Sequence, residues 1–218
     1  MDDLEFDDLD LDIELDDLDF DIDLDMKVEP VYLEIDAVVA KLNVKSRKTF
    51  CIESESMQLE NLIKAPPTKN ECYKMLSGKN GFSSIAVIQY IATREVIEEL
   101  YVSTFRVGQA QMQVLDDLSD RIKKAVFITS TLQGVEQGKE KYNYGEFCAD
   151  VCKKNGWTYL PYNNHSKVIL MRTKKNYYVC ETSSNLNENP KLEQYSFENN
   201  KQIYEFYLKM FDAFCNQS

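Results

Sequence analysis

At 218 residues with 44% apolar content, the chain is long enough for one ordinary domain plus an additional segment. No apolar run reaches the roughly eighteen residues that a membrane span needs, and the acidic amino terminus lacks the basic start and apolar stretch of a secretory signal. A reducing, cytoplasmic setting is expected. Cys51, Cys72, Cys148, Cys152, Cys180 and Cys215 are scattered through apolar sequence. Cys148 and Cys152 are spaced as neighbours on one helix face and read as buried thiols, since zinc would need two further ligands and the chain has a single histidine.

The net charge of −12 is unevenly placed. Residues 1–25 hold fourteen Asp or Glu and no Lys or Arg, which leaves 23 acidic against 25 basic residues in the remainder. The tail is a nine-residue repeat: Asp7-Asp-Leu-Asp-Leu-Asp-Ile-Glu-Leu15 is followed by Asp16-Asp-Leu-Asp-Phe-Asp-Ile-Asp-Leu24. The alternation is strand-like, but aspartate is a poor strand former and like charges on one face repel. Residues 1–26 are therefore expected to be disordered. They would serve as a solubilising tail, as a docking segment for a basic protein partner, or as a phosphate mimic folding back over the chain's own site.

Residues 27–97 read as an accessory segment, with a strand over 31–39 and a linker at Ala65-Pro-Pro-Thr68. Ser83 and Ser84 mark the start of a helix running to about Thr93. A regular alternation follows. Glu99–Val107 reads as a strand, Gln109–Ile122 as a helix, Lys124–Ser130 as a strand and Tyr144–Lys154 as a helix stopped by Asn155-Gly156. Trp157–Leu160 is a short strand. His165–Arg172 and Tyr177–Thr182 are two more, joined by the polar turn Thr173-Lys-Lys-Asn176, and Gln202–Phe214 is an amphipathic helix. This order implies an α/β fold: a mixed or mostly parallel sheet covered on both faces, with Val168-Ile-Leu-Met171 as a strand buried on both sides.

The only histidine, His165, stands two residues before Lys167 at the mouth of that buried strand. A polar stretch, Thr182 to Glu193, follows the next strand, and loops at strand ends are where open α/β sheets build sites. His165, Lys167, Ser183, Asn185 and Glu193 are thus candidates for one site. Taken singly, each has a plainer explanation as a structural histidine or a turn residue.

His165-Ser-Lys167, an apolar strand, a turn, another strand and Ser183-Ser-Asn185 together resemble the phospholipase D superfamily. The similarity is greatest to its short members with one His-x-Lys motif, the endonuclease-like ones, and to phospholipase D-like proteins of tailed phages. It covers about 98–218, expected as the phospholipase D-like domain. Two positions depart from the family pattern: Arg172 stands where the motif has Asp, and Thr182 where it has Gly.

The resemblance implies a metal-independent phosphodiesterase, with a nuclease favoured and no cofactor. His165 would attack phosphorus, Glu193 would orient it, and Lys167, Ser183 and Asn185 would bind the phosphate oxygens. A second histidine is needed as acid, and the family supplies it from the twofold-related subunit, so a homodimer is implied. Lys123, Lys124, Lys139, Lys141, Lys153, Lys154, Lys174 and Lys175 are candidates to line a nucleic-acid groove, DNA before RNA. The alternative is a weakly active or inactive nucleic-acid-binding or virion-associated module. No exposed apolar stretch suggests a membrane surface.

Overall fold

The computed structural model describes residues 39–44, 47–54, 59–77, 82–130, 144–187 and 192–216. The acidic tail, the stretch 31–38, Lys139 and Lys141 lie outside them.

Nine strands among the described residues form one mixed sheet. They are β1 Val39–Val44, β2 Arg47–Ser54, β3 Glu71–Ser77, β4 Ile97–Thr104, β5 Ala125–Ser130, β6 Thr158–Tyr162, β7 Val168–Thr173, β8 Tyr177–Thr182 and β9 Glu193–Asn199. The helices are α1 Leu59–Leu62, α2 Ser84–Ala92, α3 Gln109–Asp117, α4 Tyr144–Lys154 and α5 Lys201–Cys215. Strand order is β1-β2-β3-β9-β8-β7-β4-β5-β6. β3 and α2, which come from 27–97, are built into this sheet and its core.

Direction decides where the strand ends meet. β4, β5 and β6 run parallel, β7 is antiparallel to β4, β8 to β7, and β9 to β8. The start of β7, the end of β8 and the start of β9 therefore share one end of the sheet with the carboxyl ends of β4, β5 and β6. The Val168-Ile-Leu-Met171 run is buried on both faces, as its composition requires. Ile169 and Met171 pack with Leu100, Val102 and Phe127 on the side of α2, α3 and α4. Val168 and Leu170 pack with Tyr101 and Ile128 beneath Tyr204 and Phe211 of α5. Burying one such side chain is worth about 1.5–3 kcal/mol, so β7 is tied firmly at the centre.

The expected helices and the strands from β4 to β8 are present within a few residues of their expected bounds, except that the helix expected over 109–122 ends at Asp117 and a 3-10 turn at Ser119–Arg121 follows it. Ser83 occupies the N-cap position of α2 but makes no side-chain capping bond. α5 has the cap that α2 lacks: the Asn200 side chain accepts from the backbone N–H of Gln202 and Ile203. β4 stops at Thr104 rather than Val107, because the chain turns there and the Phe105 carbonyl accepts the Ser130 N–H at 3.2 Å. The polar stretch also ends sooner than expected, since Glu193 is the first residue of β9. The alternation of Tyr195 and Phe197 into the core signals that strand, but Ser196 between them and Glu193 and Glu198 on either side dilute it.

Candidate functional site

β7 opens with Asn164-His165-Ser166-Lys167 just outside it, and the backbone there is tied to β8 by the Thr182 N–H donating to the Lys167 carbonyl at 3.2 Å. Lys167 Nζ lies 3.4 Å from His165 Nδ1 and donates to the His165 carbonyl at 2.9 Å. The imidazole is exposed, and its ring lies against Phe105, centroid to centroid 4.9 Å. Lys167 is half-buried. Its ammonium is held below the ordinary lysine range by that burial, which the charge of Glu193 partly offsets.

The loop after β8 supplies the second group. Thr182 Oγ1 accepts the Ser184 N–H at 2.9 Å, so the threonine that replaces glycine closes a small turn. This presents Ser183 at the surface. Ser183 Oγ donates to Glu193 Oε2 and accepts the Gln194 N–H at 3.0 Å. Glu193 itself is buried. Ser84 of α2 fixes Asn185, two residues beyond Ser183, by donating to its carbonyl at 2.8 Å, and the Asn185 Oδ1 is buried without a hydrogen-bond partner. Ser84, Thr104, Lys167, Thr182, Ser184 and Leu186 line a narrow crevice beneath these strand ends.

All five residues singled out from the sequence thus lie at one end of the sheet. His165 and Lys167 are in direct contact, and so are Ser183 and Glu193. The Glu193 carboxylate takes the hydroxyl of Ser183, while His165 Nδ1 faces Lys167. Sequence reasoning missed Phe105, whose ring lies against His165, and Ser103, which bonds to Asn164 and Ser166 on either side of it. Nothing in their local sequence marks them, because β4 is brought beside β7 only by the crossover.

Arg172 is at the other end of β7, about 17 Å along the strand from Lys167. Its Nε donates to Glu99 Oε2 at 2.8 Å, and the two residues are directly opposite across β4 and β7. Lys123, Lys124, Lys153, Lys154, Lys174 and Lys175 also belong to that far end. They precede β5 and β6 or form the β7–β8 turn, and so do not line a groove around His165. The sequence made them neighbours in number without showing which end of the sheet they occupy.

Among the described residues no helix is long and apolar enough to cross a membrane, and no cluster of His, Cys, Asp or Glu has the composition of a metal site. Cys72, Cys148, Cys152 and Cys180 are buried thiols and Cys215 is exposed.

The fold is similar to that of proteins of known structure. A polyphosphate kinase from Porphyromonas gingivalis superposes on 66% of this chain at 12% identity with a TM-score of 0.51. The chain spans about a quarter of that protein, 26% of its length. Nuc, a phospholipase D family member from Salmonella typhimurium, matches 67% of this chain and 96% of its own at 15% identity, with a TM-score of 0.46. A yeast tyrosyl-DNA phosphodiesterase matches 47% of this chain and 25% of its own at 15% identity, with a TM-score of 0.30. At such identities the likeness is one of fold. No family model and no curated protein sequence matches the chain.

Proposed function

We propose that the chain is a metal-independent phosphodiesterase, a nuclease before any other kind, working through a phosphohistidine on His165. The observation that carries this is the contact of His165 with Lys167 at the sheet end where Ser183 and Glu193 also emerge. A phosphodiester is anionic and resists water, and a nucleophilic imidazole divides the reaction into two easier steps. Lys167 would bind the non-bridging oxygens, with Asn185 donating a hydrogen bond to them and Ser183 doing so once its hydroxyl turns from Glu193. In the free chain Lys167 rests between the His165 carbonyl and Nδ1. A bound phosphate would draw the ammonium off Nδ1, so that this nitrogen carries the ring proton and Nε2 keeps the lone pair that attacks. Glu193 would then stabilise the imidazolium from its buried position.

Attack forms the N–P bond as the ester P–O bond breaks, and the leaving oxygen needs a proton. With one histidine per chain, the donor would be His165 of a twofold-related copy, which later takes a proton from the water that cleaves the intermediate. We propose a homodimer on this ground, and for residues 1–26 a basic protein partner.

The test is cleavage of single- and double-stranded DNA in EDTA by the wild type, His165→Ala and a chain lacking residues 1–26. Cleavage that survives EDTA and disappears in His165→Ala supports the proposal. If neither the full nor the shortened chain cleaves, the proposal is wrong, and a phosphate-binding module without turnover takes its place. Sedimentation at several concentrations tests the dimer.

A further inference from the structure

We infer that Asn164 is the positioning residue for His165, acting through a closed ring of hydrogen bonds with Ser103 and Ser166. This rests on His165 being the nucleophile proposed above.

The carboxamide of Asn164 is used on both sides. Nδ2 donates to Ser103 Oγ at 2.9 Å, to the Thr104 carbonyl at 3.2 Å and to the Ile128 carbonyl at 3.3 Å. Oδ1 accepts from the Ser166 N–H at 3.0 Å and from Ser166 Oγ at 2.8 Å. The two serine hydroxyls also bond each other. Chemistry fixes the direction of every proton in this ring. An amide N–H can only donate and an amide oxygen can only accept. Ser166 therefore gives its proton to Oδ1, Ser103 gives its own to Ser166, and Ser103 receives from Nδ2. Bonds running head to tail in this way polarise and reinforce one another.

An ordinary Asx turn would explain only the two contacts from Oδ1 to Ser166. The three contacts from Nδ2 are different. They reach the ends of β4 and β5, strands separated from Asn164 by 60 and 36 positions. Two of them satisfy carbonyls, of Thr104 and Ile128, near the point where the β4–β5 ladder ends. Residues 164 and 166 are thereby clamped to the central sheet, and His165 between them has its backbone direction fixed. Its exposed imidazole is then held by the Phe105 ring and Lys167. Phe105 is itself placed by its carbonyl bond from Ser130. A nucleophile on a mobile loop would lose the alignment that in-line attack requires, and a displacement of about 1 Å costs on the order of a hundredfold in rate.

The experiment uses Asn164→Asp, which keeps Oδ1 but turns an oxygen toward the Thr104 and Ile128 carbonyls. Ser166→Ala and Ser166→Thr serve as the milder pair, the second retaining the hydroxyl. Two readouts are taken on the full chain. One is kcat and KM for bis(p-nitrophenyl) phosphate. The other is the ring signal of 13C-labelled histidine, unique because the chain has one. Asn164→Asp and Ser166→Ala are expected to lower kcat by about tenfold to a hundredfold with KM little changed, and to split or broaden the single sharp ring signal. Ser166→Thr restores both. A ring signal unchanged in Asn164→Asp and Ser166→Ala overturns the inference, whatever the rates do. If the wild type fails to hydrolyse the diester, the phosphodiesterase proposal falls, while a perturbed ring signal still upholds the positioning of His165 by Asn164.

Discussion

Replacing Arg172 by Asp would complete the motif that the sequence around His165 resembles and, by sequence alone, should improve the protein. The structure leads to the opposite expectation. Arg172 is bonded to Glu99 at 2.8 Å, with side chains about a third and a quarter exposed, and Tyr204 adds a long contact to the same carboxylate. Removing a partly exposed pair forfeits up to about 1 kcal/mol. Placing a second carboxylate directly opposite Glu99 across two paired strands adds repulsion of on the order of another 1 kcal/mol. A loss of about 2 kcal/mol lowers the Tm of a chain this size by about 4–8 °C. The pair also fixes the sign of the pH dependence. The Arg172 hydrogen bond holds the Glu99 carboxyl below its ordinary value of 4.5. Its contribution is therefore fully present above that value and fades as pH falls through the lowered folded value. The assay is thermal unfolding at pH 7 and at stepwise lower pH for the wild type, Arg172→Asp and the swapped double variant Glu99→Arg/Arg172→Asp. The swap should recover most of the lost Tm, and the wild-type advantage over Arg172→Asp should shrink in acid. Arg172→Asp as stable as the wild type, or a gain in diester hydrolysis by the variant, would refute the assignment of Arg172 to a structural pair remote from the site.

Four other outcomes are expected. Lys167→Met should abolish diester hydrolysis while raising the Tm, because burial disfavours the ammonium in the folded chain; a lowered Tm would count against that cost. Asn200→Ala removes the cap of α5 and should cost about 1 kcal/mol, seen as a lower urea midpoint with an unchanged slope, and Asn200→Ser should restore it. Glu95→Ala strips the acceptor from Thr173, Asn176 and Tyr178. It should destabilise by about 2–3 kcal/mol, since partly buried donors are left unpaired, with Tm the measure. Reversing Lys174 and Lys175 to Glu should leave the KM for a DNA oligonucleotide unchanged, because both residues are at the far end of β7. A steep rise in KM would bring that end back into the binding surface.

Much of this protein was determined by local sequence. The buried character of β7 follows from four apolar residues in a row, and α4 from its apolar spacing and the Asn155-Gly156 stop. The grouping of His165, Lys167 and Ser183 at one end follows from the short β7–β8 turn, which makes the start of β7 and the end of β8 meet, and the antiparallel pairing of β9 with β8 adds Glu193. β3 and β9 were harder to read, because their core residues alternate with polar ones and their pairing spans more than a hundred positions. Tertiary structure alone decided what each polar group touches. The partner of Arg172 is on β4, the hydroxyl bound by Glu193 comes from Ser183, and the carbonyls held by Asn164 come from β4 and β5. The physical reason is range. Apolar periodicity is written into neighbouring residues and needs no knowledge of the rest of the chain. A hydrogen bond requires two groups within about 3 Å, and strand order and register alone bring distant residues that close.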